Sequence, residues 1–405
     1  MIISASRRTD IPALYPEWFM NRLLAEEVLV PNPYNRKKVR RIRLTPEVVD
    51  CFVFWTKNPE PMLPYLRMID RLDYRYYFQM TITDYEKDIE PHLPSTEESI
   101  ATFILLSQRL GKNRVDFRFD PILLTEKYTI DYHLEKFDMM CEWLHPYTTR
   151  CIFSFVDSYR GSPFRELEDE EKITLAEGLA KIADRYGLPL YTCAEKIDLE
   201  KYGIRHAACI DKEKIREIIG YKLDLKKDRG QRKECGCCES IDIGKYDTCV
   251  HGCHYCYATA SLASAKSRRD EHDPKSPILI GHLQGDETIT DREVESSRDI
   301  QLSLKMIFWR KTMNRSEKVS WLIRELKKEN PGYEVIREPV NETEKRRLLR
   351  SLMNVRWPGG VSPEFLRVQD ERLQEELEEK GITDGGALPV IREQYPCTAL
   401  KNDDR

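Results

Sequence analysis

Cys249-Val-His-Gly-Cys253-His-Tyr-Cys256-Tyr257 sets three cysteines with three and then two residues between them. That spacing lets three thiolates converge on three corners of one metal cluster. A four-iron, four-sulfur cube held by three cysteines keeps one iron free of protein ligands, and an open iron can bind a small molecule. Zinc is the competing reading, with His251 or His254 completing a tetrahedral set. Tyr255 and Tyr257 flank the last cysteine and can shield a cluster from water. Upstream, Cys193, Cys209, Cys235, Cys237 and Cys238 are candidates for a second metal site, read as a second iron–sulfur cluster. Adjacent Cys237 and Cys238 do not easily face one metal together, and Cys193 and Cys209 also read as ordinary buried thiols. Cys51, Cys141 and Cys151 lie in apolar runs, where free cysteine behaves as a small hydrophobe.

The elements that must position these thiols follow from hydrophobic spacing. Met1–Ala5, Cys51–Trp55, Tyr76–Ile82, Val115–Phe119, Cys151–Val156 and Leu188–Cys193 read as buried strands. Glu97–Leu110, Asp131–Leu144 and Asp169–Tyr186 carry helical spacing. Strand-then-helix repeats predict an α/β protein with a parallel sheet, a TIM-like (βα) barrel, partial or complete. In such a barrel the strand C-termini share one face, and that face holds the site. The strand ends supply Arg7, Arg8 and Asp10, then Lys57 and Asn58, then Arg118 and Asp120, then Glu195. Arg7, Arg8, Lys57, Asn58 and Arg118 are candidate substrate-binding residues. Asp10, Asp120 and Glu195 are candidate catalytic groups for hydroxyl binding or proton transfer. Mutual salt bridging across the barrel mouth, or helix capping by Asp10 and Asn58, explains the same charges without chemistry.

The barrel with its cysteine loop is expected over residues 1–265, with the cysteine-rich part at 193–256. Residues 212–245 are charged and irregular, and Lys226–Lys233 reads as a basic solvated loop. Ala258–Lys266 is expected as a short helix, 266–312 as a loop-rich tail and linker. A small all-helical segment is expected at 313–405, with helices at Ser316–Lys328, Thr343–Met353 and Ser362–Lys380.

The chain has 405 residues, a net charge of -4 and twelve cysteines. No run of about 18 apolar residues occurs, so no membrane helix is expected. The N-terminus lacks a basic region followed by an apolar one, and clustered cysteines without a secretory signal read as metal ligands in a reducing compartment. A cytoplasmic location is expected.

The triplet resembles the cluster-binding loop of the radical S-adenosylmethionine superfamily, and the pattern around Cys253–Tyr257 is similar to its spore photoproduct lyase branch. The resemblance implies a 4Fe-4S cluster at Cys249, Cys253 and Cys256. It also implies S-adenosylmethionine cleaved to a 5′-deoxyadenosyl radical, and an electron donor such as ferredoxin or flavodoxin. Superfamily members carry the triplet after the first barrel strand, whereas here it follows the sixth. Ser6-Arg-Arg-Thr-Asp-Ile-Pro12, Phe54-Trp-Thr-Lys-Asn-Pro59, Arg118-Phe-Asp-Pro-Ile122 and Cys249–Ala258 resemble the bacterial family called domain of unknown function 1848, over roughly residues 1–305. Leu349–Arg356, Ser362-Pro-Glu-Phe-Leu and Gln369-Asp370 resemble the helical N-terminal segment of zinc-containing macrodomain ADP-ribosyl hydrolases, without the macrodomain itself.

Three readings of function follow. The first is an iron–sulfur enzyme with radical-type cluster chemistry on an anionic small molecule, nucleotide or nucleic acid. The second is a non-catalytic nucleotide- or nucleic-acid-binding protein stabilised by zinc or a cluster. The third is an accessory protein of an ADP-ribosylation system, with an ADP-ribosylation partner docked through the C-terminal segment.

Overall fold

The computed structural model describes residues 1–159, 162–220, 223, 225–293 and 296, together with 333–335 and 391–393. The chain divides into two compact units, Met1–Asp299 and Ile300–Arg405.

In the first unit the strands are β1 Ile2–Ser4, β2 Glu27–Asn32, β3 Asn35–Arg43, β4 Cys51–Thr56, β5 Tyr76–Thr81, β6 Val115–Ile122, β7 Cys151–Phe155, β8 Leu190–Thr192, β9 Arg205–His206, β10 Ile241–Asp242 and β11 Thr288–Asp291. The α-helices are α1 Ile11–Leu14, α2 Pro16–Ala25, α3 Leu66–Arg71, α4 Thr96–Leu110, α5 Ile130–Leu144, α6 Asp169–Arg185, α7 Lys212–Ile219 and α8 Leu262–Asp270. Eight strands form one parallel sheet in the order β10-β1-β4-β5-β6-β7-β8-β9. The six strands expected from hydrophobic spacing are its β1, β4, β5, β6, β7 and β8. The remaining two, β9 and β10, are edge strands of two residues each. They are too short to carry a period, and β10 and α7 fall in the stretch that reads as irregular. The expected α/β parallel architecture is present. The hydrogen-bonded ladder runs from edge β10 to edge β9.

The helices start and stop where local chemistry requires. Ser95 and Glu98 form a capping box at α4, with Ser95 N–H donating to Glu98 at 2.8 Å and Glu98 N–H returning to Ser95 Oγ at 3.2 Å. Gly111 ends that helix at φ +85, a conformation that favours glycine. Thr129 caps α5 through Tyr132 N–H at 3.2 Å.

Because the sheet is parallel, its central strands are apolar on both faces. Period-two alternation nevertheless separates two surfaces. Phe52, Phe54, Tyr76 and Phe78 pack with Phe19 of α2, with ring centroids 4.9–6.1 Å apart. Phe117 and Phe119 pack on Phe137 of α5. The alternate residues Cys51, Val53 and Tyr77 face a second cluster that includes Ile2, Cys209, Ile210, Ile215, Cys235, Cys237 and Cys238. Gln79, Asp116 and Arg118 share that parity and are buried.

A hairpin of β2 and β3, joined in parallel by β11, forms a separate three-stranded sheet. Charged residues occupy most of β3, Asn-Arg-Lys-Lys-Val-Arg-Arg-Ile-Arg, which hides its strand character in the sequence. The stretch after the cysteines packs back onto this unit. Trp18 Nε1 donates to the carbonyls of Ser276 and Ile278 at 3.0 and 3.1 Å. The short helix after the cysteines begins later than expected, because Ser261 supplies the cap through Ser264 N–H at 3.3 Å.

In the second unit the described residues form an antiparallel pair, β12 Tyr333–Val335 and β13 Ile391–Glu393. They correct the all-helical expectation, since three-residue strands leave no readable period among helical runs. The three helices expected in this segment, like Cys397, lie outside the described residues. Among the described residues, no helix is long and apolar enough to cross a membrane.

His133 of α5 is buried, with Nε2 2.7 Å from the Leu123 carbonyl, and burial pushes its pKa down from 6.5 to about 4. Neutral imidazole is therefore favoured in the fold. This contribution is complete above the unfolded value and is lost as pH falls from 6.5 through about 4. Between pH 7 and pH 4 the loss from this residue is about 3 kcal/mol. Urea unfolding of wild type and His133→Gln, whose amide still donates to Leu123, is expected to show this acid-dependent difference. Parallel pH profiles for the two proteins would contradict it.

Candidate metal and catalytic site

The cysteine loop is held by polar contacts from three directions. Asp10 Oδ1 accepts from Ala13 N–H at 3.1 Å and so caps α1. Its Oδ2 accepts from Lys57 N–H at 2.9 Å and faces His251 Nε2 at 3.0 Å. One buried carboxylate thereby joins the end of β1, the end of β4 and the loop. On the far side, His92 N–H donates to the His251 carbonyl at 3.3 Å, and His254 N–H donates to the Ile89 carbonyl at 3.0 Å.

Gly252 sits between these stitches at φ +75, and a Cβ there would come within 3.1 Å of both His92 Nδ1 and Pro91 Cγ. The turn therefore requires glycine for its backbone and for its neighbours.

The three thiols are half-buried. Backbone N–H groups of Asp10 and His251 lie near the Cys249 thiol, and those of Ala258 and Thr259 near the Cys256 thiol, and each favours the thiolate. Burial first, then neighbouring carboxylate charge from Asp10, pushes Cys249 up to about 12. Burial likewise raises Cys253 and Cys256, while the Lys57 ammonium pulls both down. The donor set is thus three sulfurs from one loop, two of them beside backbone N–H groups, a setting in which second-shell contacts orient and stabilise thiolate ligands. Among the described residues, no three His, Cys, Asp or Glu side chains are placed to hold a single metal ion.

Beneath the loop, Lys57 Nζ donates to Glu90 at 2.7 Å and to Thr83 at 3.2 Å, and it lies 5.5 Å from the Tyr255 ring. Tyr255 donates to the same Glu90 oxygen. Glu90 was not legible in the sequence, being one acid in a loop of several. Ser6 Oγ and Thr9 Oγ1, on the same loop as Asp10, are buried without a hydrogen-bond partner.

Every candidate cation is paired. Arg7 meets Asp228 at 3.4 Å, Arg8 meets Asp242 at 3.6 Å, Lys57 meets Glu90 and Arg118 meets Asp120. Arg7 also lies 5.6 Å from the Trp55 ring, and Arg8 lies 5.3 Å from that of Tyr246. Asn58 accepts from Glu60 N–H at 3.1 Å as a turn residue. Burial works against the charge on Asp120, yet Arg118 and Ser154 hold it below the usual carboxylate range. Glu195 accepts from Phe155 N–H at 2.9 Å, and burial pushes it up to about 7.

The five upstream cysteines gather in one buried cluster, with Arg118 beside Cys209. Cys193 and Cys209 sulfurs are 3.2 Å apart, and Arg118 Nη1 is 3.0 Å from the Cys209 sulfur. Cys237 neighbours both Cys209 and Cys235. Cys238 lies in the same cluster, beside the start of α7.

A family model described as domain of unknown function (DUF1848) matches residues 2–258. The chain belongs to that family. All three cysteines of the triplet fall inside the DUF1848 match. Separately, 92 residues are 49% identical to a protein-ADP-ribose hydrolase of Treponema medium, covering 23% of this chain and 33% of that protein. The chain thus spans about a third of the curated relative's length. A solved structure from Bacteroides thetaiotaomicron VPI-5482, provisionally an alpha-L-fucosidase, aligns over 55% of this chain and 81% of its own. The identity is 11% and the TM-score 0.23, too low to bear on the DUF1848 fold.

Gly252→Ala is expected to destabilise the protein by about 2 kcal/mol, combining left-handed strain with the His92 and Pro91 contacts. Gly203, at φ +76 with nothing near its would-be Cβ, serves as the control. Its alanine variant is expected to lose only about 1 kcal/mol in the same urea titration. Equal losses would mean that the loop does not press on His92 and Pro91.

Proposed function

We propose that this chain is an iron–sulfur protein, with Cys249, Cys253 and Cys256 holding a 4Fe-4S cluster, and that it acts as an enzyme on an anionic substrate. The observation that carries the reading is the donor set. Three cysteines of one loop stand near the ends of parallel strands, with backbone N–H groups close to two of the thiols and the Lys57 ammonium favouring the thiolates of Cys253 and Cys256. Such a cluster, with one iron free of protein ligands, supplies an electron or a Lewis-acidic position when bound.

The chain's own residues do the positioning. Asp10 and His251 fix the loop against β1 and β4, and Lys57 with Glu90 and Tyr255 supports it from below. Arg7 and Arg8 have the longest ion pairs of the four cations, so they are the groups that turn most readily toward a substrate phosphate or carboxylate. Ser6 and Thr9 offer unpartnered hydroxyls on the same loop. Among the carboxyl groups, Asp10 and Asp120 are held in fixed pairs, which leaves Glu195 as the proton-transfer candidate. The eight-stranded sheet is read as a barrel whose seam between β9 and β10 is bridged where Cys238 N–H donates to the Ile210 carbonyl at 3.0 Å.

A second reading is favoured by the hydrolase relative. Through its C-terminal segment the protein would serve an ADP-ribosylation system, with an ADP-ribosylated protein as partner. The full chain is expected to retain ADP-ribosylated protein on a column better than a chain ending at residue 299. Equal retention counts against this reading.

Anaerobic purification and reconstitution with iron and sulfide are expected to give a brown protein with about four irons per chain. Cys249→Ala, Cys253→Ala and Cys256→Ala together are expected to abolish the colour. A colourless wild type whose zinc disappears with the same three substitutions would overturn the cluster. If iron is present, incubation with S-adenosylmethionine and reduced flavodoxin or ferredoxin is expected to release 5′-deoxyadenosine. Intact S-adenosylmethionine would restrict the site to non-radical chemistry.

A further inference from the structure

Four of the five upstream thiols, outside the triplet and with no part in the function proposed above, come from three segments. Cys193 follows β8, Cys209 follows β9, and Cys235 and Cys237 precede β10. Two of the four sulfurs receive an N–H group. Arg118 donates to Cys209 at 3.0 Å, and its charge lies close to Cys193. Ile210 N–H donates to Cys237 at 3.3 Å. N–H donors and a neighbouring guanidinium are the environment that stabilises thiolates bound to a metal.

The backbone is also shaped for the gathering. Gly236, between two of the cysteines, lies against residues 207 and 208, where a Cβ would come within 3.3 Å of the Ala207 oxygen and of Ala208 Cβ. A larger residue would push the Cys235–Cys237 turn away from Cys209.

We propose that Cys193, Cys209, Cys235 and Cys237 form a tetrathiolate site for one zinc ion, which ties the segments after β8 and β9 to the segment before β10. Ligand chemistry selects the ion, because four thiolates in tetrahedral array suit zinc and close a structural site. Spacing favours a single ion over a cluster. Sulfurs sharing one zinc stand about 3.8 Å apart at ordinary Zn–S lengths, whereas those of a cluster sit on separate irons. Cys193 and Cys209 are already at 3.2 Å. Cys193 and Cys209 share one S–H···S contact, and no three of the thiols yet surround one point. Binding replaces that contact by four Zn–S bonds and releases the four thiol protons to solvent. The ion does what hydrogen bonding alone does sparsely here, joining the two edges of the sheet.

The test uses the full chain carrying Cys249→Ala, Cys253→Ala and Cys256→Ala, so that failure of the cluster reading leaves it intact. Grown with zinc, this protein is expected to hold about one zinc per chain by elemental analysis. Adding Cys209→Ser and Cys237→Ser is expected to remove it. Because those further variants can misfold, a second measurement uses the three-alanine protein alone. A chelator is expected to lower its Tm, and cobalt(II) added to the stripped protein is expected to give intense thiolate-to-cobalt absorption. No metal and no cobalt band in a folded three-alanine protein would overturn the site. Iron with sulfide in place of zinc would overturn the assignment to a single ion.

Discussion

The site depends on the carboxylate of Asp10. It caps α1, accepts the Lys57 N–H at the end of β4 and faces the His251 imidazole of the cysteine loop. It thereby fixes the loop that carries Cys249 against the ends of two central strands, beside the bond from Tyr257 to the Arg7 carbonyl. Its own N–H lies near the Cys249 thiol, so one residue bears on both the position of the loop and the surroundings of a candidate ligand. A buried carboxylate is costly unless its oxygens are engaged, and here both oxygens are. Asp10 therefore acts as a positioning residue, and its chemistry reaches a substrate only through the groups it holds.

The face of the sheet that looks toward the thiols is charged and balanced. Asp116 takes both Arg150 and Lys214, with contacts of 2.6–3.0 Å, at the start of β6. Two residues further along the same strand, Arg118 meets Gln79, Asp120 and Cys209. Breaking either buried cluster by removing one partner leaves an uncompensated charge, which costs several kcal/mol. The same balance constrains binding. On the proposed reading, a substrate phosphate or carboxylate would have to displace an existing carboxylate partner, and Arg7 and Arg8 would yield theirs most readily because their contacts are the longest.

Much of this was legible in the residues, for physical reasons that can be named. The strands β4, β5, β6 and β7 are long enough for buried apolar runs to stand out, and α4, α5 and α6 bring caps with them. β9 and β10 are two residues each and leave no pattern, while β3 is masked by its arginines and lysines. The grouping of Cys249, Cys253 and Cys256 on one loop was legible because their spacing is local. Pairing of the basic residues was anticipated only as an alternative, since the partners Asp228 and Asp242 lie more than two hundred residues from Arg7 and Arg8. Glu90 had no signal at all: it matters because the loop after β5 folds back under Tyr255, and nothing short of the fold reveals that.

The two groups of thiols differ in how they are assembled, and the difference bears on what each can do. Cys249, Cys253 and Cys256 share one short loop whose turn is set by Gly252, so their mutual arrangement needs little from the rest of the chain. The loop has only to be docked by Asp10, Ile89 and His92. Cys193, Cys209, Cys235 and Cys237 come from three segments and meet only once the segments after β8 and β9 pack against the segment before β10. A ligand bound by such a discontinuous set draws its affinity from the folded state and returns it as stability. On the proposed reading, a ligand on the local loop would add little to the fold and stay open beside Arg7 and Lys57. Chemistry would then belong with that loop, and the discontinuous set would suit a closed coordination sphere.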